Sequence, residues 1–330
     1  MKTRVALIGL GSVGRGVAEM ISKKDLGIII TGIADSKSGI IDAKGIDLGA
    51  LLAHKKETGS CGDKTIAAMD VIATADYDVL VEVSPTNALT GEPATGYIRA
   101  ALARKKHVVT SNKGPIALAY RELHALARNH GVSLRYEATV AGAIPIMHTI
   151  EHGLAGNEIL AIYGVLNGTC NYILTRMADE GLTYEQALME ARELGYAEAD
   201  PTYDVKGIDA AIKLVILANT IWGDGKKLGD VACTGIDLLT PDALRLAEDE
   251  GCTIRLIAEA IPRKNLLRVS PRIIEKDHPL VVDGTLNALT LETDMAKEIT
   301  LIGRGAGSVE TASAIIGDIL FIRDRYVQRS

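Results

Sequence analysis

Aromatic and cysteine residues are scarce in this chain of 330 residues, which has one Phe, one Trp and four cysteines. The core must therefore be built from aliphatic side chains and Tyr. The cysteines are scattered with no CxxC pair, which argues against a zinc site and against a disulfide framework. They are Cys61, Cys170, Cys233 and Cys252.

Long apolar runs are also missing, since none approaches the roughly 18 residues of a membrane-spanning helix. The apolar run near the N-terminus is too short for a signal peptide. We therefore expect a cytoplasmic protein that does not contact a membrane. The formal net charge is −6 and no basic patch is present, so a nucleic acid is not an expected partner.

Length and composition favour a two-domain enzyme. A chain of 330 residues exceeds a typical single domain, so two domains are the first expectation. Hydrophobic residues make up 47% and charged residues 24%, which is ordinary for a globular enzyme.

A glycine-rich turn lies near the N-terminus, between an apolar run over residues 4–8 and a helical pattern at residues 17–21. Gly9 permits a tight turn, Gly11 lets the backbone approach a pyrophosphate, and Gly14 allows close helix–strand packing. Ser12 and Val13 begin the helix, whose free N–H groups favour phosphates. The alternative is an ordinary tight turn between a strand and a helix. The motif predicts that residues 9–14 bind a dinucleotide.

The second apolar run, residues 28–34, ends in Asp35, about twenty residues after the last glycine, where a ribose-binding carboxylate is expected. An acid here favours NAD, because it would repel a 2′-phosphate. Lys37 and the Lys55–Lys56 pair could instead bind that phosphate, and Asp35 could equally be a turn residue or a helix cap. The preference between NAD and NADP therefore stays open.

Strands and helices then alternate, with strand-like runs at residues 79–83, 107–110 and 132–137 and helical segments at 97–104 and 117–129. This alternation predicts a doubly wound parallel sheet, whose ligands bind beyond the carboxyl ends of the strands. Ser84, Thr86 and Lys113 follow such ends. We expect them to line one crevice with the glycine turn, although Lys113 could be an ordinary surface lysine.

The second half changes character. Strand-like runs over 159–166, 253–260, 266–274, 281–290 and 299–302 predict an α+β domain with a mainly antiparallel sheet. Thr183 and Gln186 form a capping box. A glycine-rich segment over 303–307, in which we expect Gly305 to contact the cofactor, precedes a final helix over about 310–323. Ile315 and Ile319 belong to an apolar stripe on that helix, so we expect the helix to return to the first domain. The predicted domains are residues 1–138, with 306–330 packing back on them, and residues 139–305.

The strongest chemical signal is a helix over residues 207–218 that is apolar on nearly every face and carries Asp209 and Lys213. Residues four apart share one side of a helix, and buried charges are costly unless they are paired or used. Glu198 and Asp204 lie in the loop just before it. A carboxylate and an amine in a dry site could grip a polar substrate and move a proton. A structural ion pair is the alternative.

Taken together, these segments resemble homoserine dehydrogenases along essentially the whole chain. The matching segments are GLGSVG at 9–14, SNKGP at 111–115, EATVAGAIP at 137–145, GVLNGT at 164–169, and ELGYAEADP at 193–201 continuing through Asp209 and Lys213. Several ordered motifs are far more specific than a single glycine signature. The family interconverts L-homoserine and L-aspartate 4-semialdehyde with NAD(P), on the route to threonine, methionine and isoleucine.

The resemblance implies a role for each matching residue. Lys213 would exchange the proton with the substrate's oxygen, and Lys113 would assist beside the nicotinamide. The substrate-binding residues would be Glu198, Asp209, Asp204, Thr169 and Gly168. The resemblance also implies a monovalent cation such as sodium, held by the Glu137 side chain and the carbonyls of Val140, Gly142 and Ile144. Carbonyl oxygens with one carboxylate suit a hard ion. The family is commonly dimeric through the sheet of the second domain.

The chain departs from the family at Cys170, where Thr is common, so a redox-sensitive thiol is possible, although a small buried thiol is the simpler interpretation. We expect no regulatory domain after the glycine-rich segment, no preceding aspartate kinase, and so no threonine feedback through such a domain. Two other functions remain open: a dehydrogenase of another small amino or hydroxy acid, and a nicotinamide-sensing protein without turnover. An aspartate-semialdehyde dehydrogenase would need a nucleophilic cysteine backed by a base, which is not apparent.

Overall fold

A computed structural model describes residues 2–327 of the chain. The strands are β1 Thr3–Ile8, β2 Ile28–Ala34, β3 Gly39–Ile41, β4 Val79–Glu82, β5 His107–Thr110, β6 Leu134–Arg135, β7 Ile159–Val165, β8 Ala232–Cys233, β9 Cys252–Ile261, β10 Leu266–Glu275, β11 Leu286–Thr293 and β12 Glu298–Arg304. The α-helices are α1 Ser12–Lys23, α2 Leu48–Thr58, α3 Ala68–Thr74, α4 Ala94–Ala103, α5 Lys113–His130, α6 Ile146–His148, α7 Gly168–Glu180, α8 Tyr184–Glu193, α9 Thr202–Val205, α10 Ile208–Trp222, α11 Pro241–Asp249 and α12 Ser308–Ile322.

The chain divides into two compact units, Met1–Gly142 with Gly307–Ser330, and Ala143–Ala306. Each unit contains one six-stranded sheet. No helix in the described part of the chain is both long enough and apolar enough to cross a membrane.

The first unit contains a doubly wound sheet with the strand order β3-β2-β1-β4-β5-β6. All neighbours are parallel except the edge strand β3, which runs antiparallel to β2. The register aligns Ile8 with Glu82 and Glu82 with Thr110. The loops after β1, β4 and β5 therefore leave the sheet at the same edge, as the alternation of strands and helices predicted.

The core of the first unit is aliphatic, as the scarcity of aromatic residues requires. Val17 and Ala18 on α1 are fully buried, as are Ile315 and Ile319 on α12, and all four belong to one apolar cluster with strands β1, β2 and β4. The final helix thus returns to the first unit, which confirms the prediction made from its apolar stripe.

The second unit has the strand order β12-β11-β7-β9-β10-β8. Its neighbours pair antiparallel except the short β8, which runs parallel to β10. This confirms the mainly antiparallel sheet. The capping box at the start of α8 also forms. The backbone N–H of Gln186 donates to the Thr183 hydroxyl (3.3 Å), and the backbone N–H of Thr183 donates to Gln186 Oε1 (2.9 Å).

Two predicted segments differ from the structure. Strand was predicted over residues 132–137, but β6 is only two residues long and a 3-10 turn begins at Glu137, because Glu137 N donates to the side chain of Asp318 (3.0 Å) instead of to a neighbouring strand. Strand was also predicted from residue 281, but β11 begins at Leu286. A turn at Gly284, where φ is +61°, comes first.

Candidate active site

The glycine turn after β1 is held by close backbone packing at two of its three glycines. A Cβ on Gly9 would lie 2.5 Å from the Val83 carbonyl oxygen, and a Cβ on Gly14 only 1.9 Å from the Gly9 oxygen. Gly11 differs, because no atom lies within 4 Å of its Cβ position. Packing thus requires glycine at 9 and 14, whereas the space at Gly11 suits a ligand that approaches the backbone, such as a pyrophosphate.

The start of α1 is open to an anion. Gly11 occupies the N-cap position and has no side chain to cap the helix, and no acid lies in the first turn. Ser12 is exposed and Val13 half-buried. Backbone N–H groups in this position, together with the positive end of the helix dipole, favour phosphate groups.

Asp35 directly follows β2, and its two carboxylate oxygens have different partners. Its Oδ1 accepts hydrogen bonds from the backbone N–H groups of Lys37 (2.8 Å) and Ser38 (3.0 Å), which makes it a turn residue. Its Oδ2 pairs with the ammonium of Lys55, which also donates to the Gly59 carbonyl (2.8 Å). Burial raises the pKa of the Asp35 carboxyl, but these hydrogen bonds outweigh burial, and the net effect lowers it.

A buried carboxylate organises the loops after β4 and β5. Glu82 is fully buried; its Oε1 accepts from Ser84 N (2.9 Å) and the Ser84 hydroxyl, and its Oε2 from the Thr110 hydroxyl (3.0 Å). Burial raises the pKa of Glu82, and the hydrogen bonds oppose that shift without reversing it. Sequence analysis did not select Glu82, and its position as an acid inside an apolar strand was the available signal.

The same network continues to Lys113. The Thr110 hydroxyl accepts from Asn112 N (2.9 Å), and the Asn112 side chain donates to the Ser84 carbonyl (3.2 Å) and accepts from Gly114 N (3.2 Å). Asn112 thus caps α5, whose first residue is the half-buried Lys113. Thr86 is exposed in the loop after β4. The structure therefore ties Ser84 to the residue that precedes Lys113.

In the second unit, α10 buries every residue from Asp209 to Asn219. Lys213 Nζ lies 2.8 Å from Asp209 Oδ2 and donates to the Leu166 carbonyl (2.7 Å), with side chains only 10% and 11% exposed for Lys213 and Asp209. An ammonium has three N–H donors, and the third has no partner among the described residues. The predicted acid–amine pair is therefore present and keeps one donor for a ligand.

Asn167 joins this pair to the preceding loop. Its Nδ2 donates both to Asp204 Oδ1 (2.7 Å) and to Asp209 Oδ2 (2.9 Å). Its Oδ1 accepts from Cys170 N (2.8 Å), so it also caps α7. Sequence analysis did not select Asn167; its position as the polar residue between a strand and a helix was the available signal.

The other predicted substrate residues lie around α7. Gly168 passes so close to the Thr285 carbonyl that a Cβ would lie 2.7 Å from its oxygen. The Thr169 hydroxyl donates to the Tyr196 carbonyl (2.7 Å) and so anchors the loop that carries Glu198. Glu198 itself is exposed. Among the described residues no hydrogen bond joins it to Asp204 or Asp209, so the three carboxylates of the sequence do not form one contact cluster.

Cys170 is fully buried, and its thiol donates to the Asp204 carbonyl (3.1 Å). Burial, followed by the charges of Asp204 and Asp209, raises the pKa of this thiol well above its usual range. A thiol with so little thiolate is a poor nucleophile and oxidises slowly.

The predicted cation ligands are divided between the two units. Glu137 is buried rather than a surface acid, and its N–H and the Arg135 Nε both donate to Asp318 (3.0 and 3.1 Å). Burial raises the pKa of Asp318 to about 6. Val140 is fully buried and Gly142 has φ +53°, while Ile144 lies in the second unit and its carbonyl accepts from Ile146 N (2.8 Å).

Among residues 2–327, no cluster of three or more His, Cys, Asp or Glu side chains could hold a metal. Gly305, predicted to contact the cofactor, lies in the second unit against the buried amide of Asn287, where a Cβ would fall 2.2 Å from its Cγ. Packing on Asn287 is enough to require glycine at this position.

Comparison with known proteins identifies the family. The family model for the NAD binding domain of homoserine dehydrogenase matches residues 9–137, and the homoserine dehydrogenase model matches residues 145–320. The homoserine dehydrogenase of Methanocaldococcus jannaschii is 47% identical, covering 96% of this chain and 98% of its own. The NAD(+)-dependent homoserine dehydrogenase of Pseudomonas canavaninivorans is 38% identical, covering 97% and 96%.

Solved structures give the same answer. A hyperthermophilic archaeal homoserine dehydrogenase in complex with NADPH superposes with a TM-score of 0.85 at 30% identity, covering 99% of each chain. With both sheets, the glycine turn and the Asp209–Lys213 pair in place, this chain belongs to the homoserine dehydrogenase family.

Proposed function

We propose that this protein interconverts L-homoserine and L-aspartate 4-semialdehyde with NAD(P), as a step in threonine, methionine and isoleucine biosynthesis. The observation that carries the proposal is the Lys213 ammonium, which is buried, paired with Asp209 and bonded to the Leu166 carbonyl. Reducing an aldehyde adds a hydride to carbon and builds negative charge on oxygen. A fixed ammonium beside that oxygen stabilises the charge and can supply the proton.

Lys213 is the general acid in this proposal. The bound nicotinamide would exchange the hydride with the substrate carbon. When the aldehyde is reduced, Lys213 donates a proton to the oxygen; when homoserine is oxidised, the neutral amine takes the hydroxyl proton. Its bonds to Asp209 and Leu166 keep the amine from rotating away. Proton transfer by a positioned group of this kind typically contributes about 10²–10⁴-fold in rate.

The acids around Lys213 suit an amino acid. Asp204 and Asp209 converge on the Asn167 amide, and the Lys213 ammonium pairs with Asp209. The positively charged α-ammonium of homoserine would be attracted to these two carboxylates. Glu198 would reach the same substrate from its exposed loop, beside the Gly168 and Thr169 backbone. In the first unit, Lys113 would assist next to the nicotinamide.

The test is nicotinamide absorbance with L-homoserine and NAD or NADP, for wild type and Lys213→Ala. We expect homoserine-dependent reduction by wild type and a loss of about 10²-fold or more in kcat for the variant. Lys276→Ala, which removes an exposed pair with Glu248, is the matched control and should keep full activity. Turnover of a different hydroxy acid alone would indicate another dehydrogenase. Tight NAD(P) binding without turnover would favour a nicotinamide sensor.

The cofactor preference is a finer part of the proposal. The Asp35 carboxylate suits the ribose hydroxyls of NAD, and the Lys55 ammonium at Asp35 suits the 2′-phosphate of NADP. We infer that both cofactors bind and that these two residues set the preference. One similar protein is named as NAD(+)-dependent and another was solved with NADPH.

Three further properties complete the proposal. The buried Glu137 would hold a monovalent cation with the carbonyls of Val140, Gly142 and Ile144, so replacing sodium by a bulky organic cation should lower activity.

The chain would form a homodimer through the second unit's sheet, whose strands β10 and β12 carry the exposed Ile273 and Ile302. A light-scattering mass equal to one chain would contradict this. We place the enzyme in the cytoplasm, with its nicotinamide cofactor.

A further inference from the structure

The Asn167 side chain makes an uncommon set of contacts. A single nitrogen, Nδ2, donates one hydrogen to Asp204 at 2.7 Å and the other to Asp209 at 2.9 Å, while the side-chain oxygen accepts from Cys170 N at 2.8 Å. The residue is 4% exposed. Both N–H donors of the amide are therefore used on two carboxylates from different helices, α9 and α10.

These two carboxylates would otherwise separate. Like charges repel strongly in a low-dielectric site, even though the Lys213 ammonium pairs with Asp209. The Asn167 amide adds no charge of its own but gives both acids a donor. Its two N–H groups hold one oxygen of each carboxylate next to the same nitrogen atom, Nδ2.

We propose that Asn167 is a positioning residue that holds Asp204 and Asp209 as a convergent anionic pair for the substrate's ammonium. The inference rests on the homoserine activity proposed above. Serine can cap α7 but has one donor only, so it cannot bridge the two acids. Aspartate can cap α7 but brings a third negative charge. Asparagine is the small side chain that both caps the helix and donates twice.

The following charged and titratable groups are described around the amide. They are Cys170 on α7, Asp204 on α9, and Asp209 and Lys213 on α10; Cys233 and Tyr184 act on this cluster through their interaction with Cys170. In Asn167→Asp, three neighbouring carboxyls must share at least one proton to keep the hydrogen-bonded arrangement. Raising the pH removes that proton and leaves three mutually repelling anions.

Two variants and one control test the proposal. Asn167→Ser should raise the KM for homoserine about tenfold or more, with little change in the KM for the cofactor or in the melting temperature. Asn167→Asp should work best at low pH, so that its kcat/KM for homoserine, divided by the wild-type value, falls about tenfold or more between pH 6 and 9. Asn171→Asp is the control, since Asn171 is equally buried on α7 but donates to the Val282 and Gly284 carbonyls (2.8 and 3.0 Å). Its ratio to wild type measures the pH dependence that one buried carboxyl introduces by itself, so the fall for Asn167→Asp should be clearly larger.

The outcomes separate the inference from the activity beneath it. If wild type does not turn over homoserine, the proposed function is wrong. If wild type is active but Asn167→Ser binds homoserine within about twofold of it, Asn167 only caps the helix and the inference is overturned. The same holds if the Asn167→Asp ratio falls with pH no more than that of Asn171→Asp. If Asn167→Asp does not fold, the KM of Asn167→Ser decides alone.

Discussion

Replacing Gly11 by alanine would separate cofactor binding from folding. Gly11 has φ −78° and ψ −154°, a conformation open to alanine, and no atom lies within 4 Å of the added methyl. Alanine is a poorer N-cap than glycine but reduces the freedom of the unfolded chain. These effects oppose each other, so the free energy of unfolding should change by less than about 1 kcal/mol.

Gly14→Ala is the contrasting variant. Its methyl would lie 1.9 Å from the Gly9 oxygen and 2.9 Å from the Gly9 carbonyl carbon, and neither backbone atom can turn aside as a flexible side chain would. The helix and the turn must move apart. Overpacking of this kind costs about 1–3 kcal/mol or more, so Gly14→Ala should lower the melting temperature clearly.

Gly11→Ala should weaken cofactor binding although it leaves the free energy of unfolding almost unchanged. In Gly11→Ala the methyl occupies the space that the pyrophosphate would enter, so we expect the Kd for NADH and NADPH to rise about tenfold or more, or about 1.4 kcal/mol. The assay is a fluorescence titration with the reduced cofactor, alongside thermal unfolding. A Gly11→Ala protein that melts and binds like wild type would refute the assignment of this space to the cofactor. A large loss of melting temperature would refute the structural argument.

Three more predictions follow from other residues. Lys55→Ala removes the ammonium that pairs with Asp35, so the affinity for NADPH should fall more than the affinity for NADH. The control Lys56→Ala, at the exposed neighbouring residue, should change neither affinity. Equal losses for both cofactors in Lys55→Ala would contradict the prediction. Glu82→Gln keeps an acceptor for Ser84 and should remain folded and active. Glu82→Ala leaves several buried donors unpaired, at a cost of about 1–3 kcal/mol each. It should therefore lower the melting temperature and also raise the KM for the cofactor. Asp318 has its pKa raised to about 6, so the folded protein holds this proton more tightly than the unfolded chain does. Wild-type stability should therefore fall relative to Asp318→Asn by up to about 3 kcal/mol as the pH rises from about 4 to about 6. Urea unfolding at both ends of that range measures the difference in unfolding free energy between the two proteins. A difference that does not change with pH would refute the prediction.

The sequence predicted the parts of the fold that depend on local pattern. The period of the apolar residues identified the parallel strands and α10, and Thr183 with Gln186 identified the start of α8. The spacing of Asp209 and Lys213 predicted their pairing, because four residues make about one helical turn. Helices α2, α3, α7 and α11 and the short helices α6 and α9 were not predicted. Strand β6 was predicted too long because its end is fixed by Asp318, nearly two hundred residues later in the chain.

Sequence alone therefore determined the family, the glycine turn and the identity of the acid–amine pair, since each is a short-range pattern of residue types. Only the tertiary structure decided which distant groups meet: Asn167 with Asp204 and Asp209, Lys55 with Asp35, Glu82 with Thr110, and Glu137 with Asp318. It also left Glu198 exposed. The physical reason is that burying a polar group requires a partner, and the chain path, rather than the neighbouring residues, determines which partner is within reach.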